Sequence, residues 1–110
     1  MQIKETENNG IVMLSVEGDI DLNSSPQMRT KFSELIQKQV LKIIINFARV
    51  DYIDSSGLAT LIEMLQRLKK CQGQLRLANV SDKIKSLFEV TKLDKLFIMY
   101  NSEEEALKDF

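Results

Sequence analysis

The chain has 110 residues, of which 44% are hydrophobic and 28% charged, and its formal net charge is -1. These values are ordinary for one compact domain, and they leave no basic excess to bind nucleic acid or an anionic membrane surface. The absence of histidine excludes a histidine-based catalytic triad and a histidine metal site, and a single cysteine excludes an internal disulfide. The sequence has no long apolar run and no signal-peptide pattern. We therefore expect a cytoplasmic single domain over residues 1–110 without membrane insertion.

The first third of the chain predicts a β-hairpin followed by a helix. Residues 2–7 and 11–17 flank an Asn-Asn-Gly turn, so the two segments are expected to pair as antiparallel strands. Ser25 followed by Pro26 predicts a helix start, because proline suits the first helical position. Apolar residues at helical spacing then form one stripe, namely Met28, Phe32, Leu35 and Ile36.

The middle of the chain predicts a buried strand and a strongly amphipathic helix. Residues 42–47 are a short, nearly continuous apolar run, which is typical of a strand buried on both faces. We expect a loop from Ala48 to Ile53, and then a helix that ends at Gln72-Gly73. Its apolar stripe consists of Leu58, Leu61, Ile62, Leu65 and Leu68.

The last third repeats the alternation of strand and helix. Strands are predicted at residues 74–79 and 96–100, and helices begin at Ser81-Asp82 and at the capping box that opens with Ser102. A hairpin followed by alternating helices and strands predicts an α/β fold. We expect a mixed β-sheet of about four to five strands, packed by about four α-helices.

One polar segment, Asp54-Ser55-Ser56-Gly57, lies between the buried strand and the apolar helix. Ligand and partner sites gather at such junctions in open α/β sheets. A phosphate on Ser55 would meet free backbone N–H groups and the favourable end of the helix dipole. On these four residues alone, helix capping is the commoner explanation. Without a histidine or a preceding glycine, the segment is not a nucleophile elbow.

With this pattern complete, the chain resembles the STAS domain family, and within it the anti-sigma factor antagonists, nearly end to end. The Asp-Ser-Ser-Gly-Leu element after a buried strand is the most specific part of the resemblance. Asn46-Phe47 stands where the family often has Asp-Leu, and we expect an altered local hydrogen bond there. The other matching segments are residues 16–21, 43–50, 73–77, 84–88 and 93–97.

The resemblance implies a phosphorylation-controlled binding protein and not an enzyme. Family members bind a serine-kinase anti-sigma factor with an ATP-binding fold, and so release a sigma factor. The kinase phosphorylates the serine that corresponds to Ser55, and a metal-dependent serine phosphatase removes the phosphate. The resemblance implies no cofactor and no metal. The implied partner-binding residues are Asp21, Asn23, Ser24, Asp54, Ser56 and Gly57.

One other interpretation of the sequence stays open, and two more are disfavoured. The chain could be a STAS subunit that is never phosphorylated, in a stressosome, a lipid-transport complex or an anion-transport complex. A nucleotide hydrolase is disfavoured, because no glycine-rich phosphate-binding loop is present. A metal pair at Asp19 and Asp21 is disfavoured as well, because no further ligand lies nearby and both residues suit a turn.

Overall fold

The computed structural model describes residues 1–110 as five strands and four helices around one sheet. The strand order is β1-β2-β3-β4-β5, with β1 antiparallel to β2 and the other neighbours parallel. The elements are β1 (Gln2–Asn8), β2 (Ile11–Ile20), α1 (Ser25–Gln37), β3 (Lys42–Ile53), α2 (Ser55–Lys70), β4 (Gln74–Ala78), α3 (Asp82–Val90), β5 (Ile98–Tyr100) and α4 (Glu103–Leu107). The predicted α/β domain with a mixed sheet is confirmed.

The two faces of the sheet are packed by different helices. Successive side chains of a strand alternate between the faces, so one set from β2, β3 and β4 enters the main core with α1, α2 and α3. The other set meets α4 in a smaller cluster of Met13, Ile44, Ala78 and Ala106. Because β2, β3, β4 and β5 are parallel, they all end at the same edge of the sheet, and the helix that follows each strand begins there. None of the helices is long and apolar enough to cross a membrane.

β3 is longer than the sequence predicts. The expected loop from Ala48 to Ile53 is wrong, because these residues continue β3 and pair with the end of β2. The register shifts twice along this stretch, and each shift inserts one extra residue into β3. The insertions break the alternation of buried and exposed side chains, which is why the sequence pattern is typical of a loop.

Two smaller predictions also need correction. On α2, Ile62 is only partly buried, whereas Met64, which lies between Leu61 and Leu68 on the core side, is 1% exposed. The last strand begins at Ile98 and not at residue 96. A turn occupies the residues before it, closed by a hydrogen bond from the Leu96 N–H to the carbonyl of Leu93 at 3.0 Å.

Asn46 is a buried polar residue of β3 whose side chain makes three hydrogen bonds. Its Nδ2 donates to Glu103 Oε1 at 2.5 Å, and its Oδ1 accepts from the Ala48 N–H and from Asn79 Nδ2, both at 3.0 Å. A carboxylate at this position could not donate to Glu103, so asparagine matches its surroundings. The amide links β3 to the end of β4 and to the start of α4.

Candidate functional site

The polar segment lies where β3 passes into α2, at the carboxyl edge of the sheet. Asp54 is the N-cap of α2, and its Oδ1 accepts the Gly57 N–H at 2.9 Å. The first helical backbone bond runs from the Leu58 N–H to the Asp54 carbonyl, also at 2.9 Å. Asp54 is thus a working helix cap, as its residue type predicts. Capping does not occupy Ser55, which is the first residue of the helix.

The Asp54 carboxylate also joins α2 to a second segment. We call residues 21–24 the β2–α1 turn. Asp54 Oδ2 accepts the Leu22 N–H at 3.1 Å, and the Asp54 N–H donates to the Ile20 carbonyl at 3.1 Å. One carboxylate therefore fixes both the start of α2 and the β2–α1 turn. Asp21 and Asp54 lie at the same edge of the sheet.

Hydrogen bonds within the β2–α1 turn hold its backbone. Asp21 Oδ1 accepts the N–H groups of Asn23 and Ser24, both at 3.0 Å. Ser24 Oγ accepts the Asp21 N–H at 2.9 Å and donates to the Asp19 carbonyl at 2.8 Å. Asp21 is therefore a turn residue. No group of three or more His, Cys, Asp or Glu side chains is arranged to hold a metal ion.

The two serines of the segment differ in exposure. Ser55 is exposed, whereas Ser56 is partly buried and its carbonyl accepts Thr60 Oγ1 at 3.0 Å. Because the helical bonds begin with the Leu58 N–H, the N–H groups of Ser55 and Ser56 have no helical acceptor. An anion on Ser55 would therefore lie beside free backbone donors.

Gly57 has a structural reason to be glycine. A Cβ added there would lie 2.4 Å from the Ile20 carbonyl oxygen and 2.7 Å from Ile53 Cγ1. Gly57 is buried, so of the predicted partner-binding residues it alone offers no surface to a partner. Its absent side chain lets α2 approach the end of β2. Asn23 is exposed, and the other four, Asp21, Ser24, Asp54 and Ser56, are partly exposed.

The sequence analysis missed one residue of this surface, Leu22. This residue is 71% exposed, and it lies in the β2–α1 turn beside Asp54. The available signal was a large apolar residue between the polar residues Asp21 and Asn23. An apolar residue in a polar turn has no helical or strand pattern to explain it.

Replacing Asp54 by alanine is expected to lower the free energy of unfolding by about 1–2 kcal/mol, because the helix cap is lost. It should also speed amide exchange at Leu22, whose N–H loses its acceptor. Ser81→Ala is the matched control, since Ser81 Oγ caps α3 by accepting the Ile84 N–H at 3.3 Å. That variant should lose similar stability without faster exchange at Leu22. Equal exchange at Leu22 in both variants would contradict the double role of Asp54.

Comparison with known proteins adds a family to this geometry. Residues 2–106 match the STAS domain family. The anti-sigma-B factor antagonist of Bacillus subtilis (strain 168) is 32% identical over 93 residues, which are 84% of this chain and 83% of that protein. The similar solved structures include the Bacillus cell fate determinant SpoIIAA in its phosphorylated form, which is 26% identical with a TM-score of 0.77 over 96% of each chain.

A further structure shares the fold at lower identity. The anti-sigma factor antagonist from Mycobacterium paratuberculosis has a TM-score of 0.86 at 23% identity, over 96% of this chain and 90% of that chain. The family match spans nearly the whole chain, and the relative at 32% identity is an anti-sigma-B factor antagonist. The chain belongs to the STAS domain family.

Proposed function

We propose that this protein is an anti-sigma factor antagonist whose binding to a serine-kinase anti-sigma factor is controlled by phosphorylation of Ser55. The observation that carries the proposal is the exposed Ser55, which directly follows the capping Asp54 and lies beside the β2–α1 turn. The 32% identity to an anti-sigma-B factor antagonist supports the same assignment. In this proposal the protein acts in the cytoplasm and is a substrate of enzymes, not an enzyme itself.

The proposed switch has two states. Unphosphorylated, the protein occupies the anti-sigma factor, which then releases its sigma factor. The kinase transfers the γ-phosphoryl group of ATP to Ser55 Oγ: the new O–P bond forms, the bond to the β-phosphate oxygen breaks, and ADP leaves. The hydroxyl proton passes to a base on the kinase. The modified protein binds less tightly, and the sigma factor is captured again.

Reset of the switch requires hydrolysis of the phosphoserine. A serine phosphatase of the metal-dependent type would supply the activated water, with the metal held by the phosphatase. The exposure of Ser55 at the start of α2 supports access by both enzymes. Because Ser56 is partly buried, it is the poorer substrate of the two serines.

Incubation with Mg-ATP and each serine-kinase anti-sigma factor encoded by the same genome is expected to add one phosphate to Ser55. Phosphopeptide mass spectrometry locates the phosphate. Ser55→Ala should accept none, whereas Ser56→Ala, the matched control, should be modified like the wild type. A phosphate on Ser56 alone would contradict the site. No modification by any of the kinases would contradict the switch and favour a STAS subunit that is never phosphorylated.

A further inference from the structure

Leu22 is a large apolar side chain held in a fixed, exposed position. The residue is 71% exposed, while its N–H donates to Asp54 Oδ2 at 3.1 Å. The hydrogen bonds of Asp21 with Asn23 and Ser24 fix the backbone on the other side of Leu22. Because this backbone is already ordered, a partner that covers Leu22 does not have to order the turn, which favours binding.

The surroundings of Leu22 carry negative charge. The two segments that the hydrogen bond from Leu22 to Asp54 joins, residues 19–27 and 50–57, contain Asp19, Asp21, Asp51 and Asp54 but no Lys or Arg. An apolar side chain amid carboxylates is complementary to an apolar pocket amid basic groups. A kinase whose ATP must reach Ser55 would place the cations that bind its phosphates close to this edge.

We propose that Leu22 is the apolar anchor of the partner-binding surface and inserts into an apolar pocket that the serine-kinase partner presents beside basic side chains. Asp54 is the positioning residue, because its carboxylate sets Leu22 against the start of α2. This inference rests on the proposed function, since it names the contact by which the same partner is held.

A change at Ser55 can affect Leu22 through the carboxylate of Asp54, which lies next to Ser55 and accepts the Leu22 N–H. A phosphoserine adds about -1.5 to -2 charges at pH 7. That charge would lie on the residue next to Asp54, whose Oδ2 holds the Leu22 N–H. Repulsion between the two anions acts on the group that positions the anchor. Phosphorylation would therefore weaken binding at Leu22 as well as at Ser55 itself.

The test compares Leu22→Ser with Val90→Ser. Val90 is 81% exposed and ends α3, at the opposite edge of the sheet, so it matches the loss of an exposed apolar side chain away from the site. Binding is measured by titration calorimetry against the ADP-loaded kinase that phosphorylates Ser55. We expect Leu22→Ser to lose about ten- to a hundred-fold in affinity, as for removal of one buried aliphatic side chain. Leu22→Met and Val90→Ser should bind within a few-fold of the wild type.

The outcomes separate this inference from the proposed function. Wild-type affinity for Leu22→Ser, with Ser55 still phosphorylated, would overturn the anchor and leave the switch intact. If the wild type is neither bound nor phosphorylated, both fail. If sedimentation shows that Leu22→Ser alters self-association and leaves kinase affinity unchanged, the residue serves a second copy of the chain, and the anchor is again refuted. Unchanged melting of Leu22→Ser supports a contact effect.

Discussion

Replacement of Gly57 by alanine is expected to destabilise the protein by about 2–3 kcal/mol, although the same change inside a helix normally stabilises by about 1 kcal/mol. The added methyl would lie 2.4 Å from the Ile20 carbonyl oxygen, far inside van der Waals contact. That obstacle is backbone of β2 and cannot rotate away, unlike the tip of a long side chain. Packing therefore outweighs helix propensity, and the start of α2 must move away from β2.

Thermal and denaturant unfolding measure this effect, with Gly10→Ala as the control. No atom lies within 4 Å of a Cβ added at Gly10, so Gly10→Ala causes no clash. Its cost is the backbone strain of an alanine at a φ of +81°, about 1–2 kcal/mol. For Gly57→Ala we expect the melting temperature to fall by about 10 °C or more. A variant as stable as the wild type would show that α2 and β2 separate easily, contrary to the packing described here. Weaker kinase binding should accompany the loss, because Asp54 and Ser55 move with the helix.

The order of the elements was predictable because most of them show an apolar periodicity that is bounded by capping or turn residues. α2 combines an apolar stripe with a capping aspartate, and both signals are local in sequence. The second half of β3 could not be predicted in the same way. Its alternation is broken by two inserted residues, and only pairing with β2 identifies residues 48–53 as strand. The pairing depends on contacts between residues about 30 positions apart, which a local pattern does not contain.

In the candidate site, too, the sequence predicted the local features and missed the contacts between distant residues. The residue types at Asp54 and Ser55 predict a helix start with free donors, and the resemblance to a family adds a phosphate at Ser55. The bond from the Leu22 N–H to Asp54 joins residues that are 32 positions apart, so it appears only in the fold. The burial of Gly57 against Ile20 is likewise a tertiary contact. The chemistry of the site was local, but its geometry was not.

Phosphorylation of Ser55 should leave α2 folded. Negative charge at a helix N-terminus is typically favourable by about 0.3–1 kcal/mol, which partly offsets the repulsion from Asp54. Burial of the apolar side chains on α2 contributes about 1.5–3 kcal/mol for each one that is fully buried. Five of them, Leu58, Leu61, Met64, Leu65 and Leu68, are 0–7% exposed. The proposed switch is therefore expected to act in the complex, not by unfolding the helix.

Ser55→Asp is accordingly expected to lose at least ten- to a hundred-fold in affinity for the kinase, which corresponds to about 1.4–2.8 kcal/mol. A kinase that modifies Ser55 must bring the phosphates of its nucleotide to the serine hydroxyl. A carboxylate at position 55 then meets those phosphates and loses solvent at a fitted interface. Ser55→Ala keeps a small neutral surface, so it should bind like the wild type and stay bound when ATP is added.

Ser86→Asp is the charge-matched control, since Ser86 is an exposed residue of α3. Calorimetry with ADP-loaded kinase measures all four proteins, and amide exchange across residues 55–70 checks that α2 stays protected. Equal affinity of Ser55→Asp and Ser86→Asp would show that charge at position 55 does not control binding, and the phosphorylation switch would have to be abandoned.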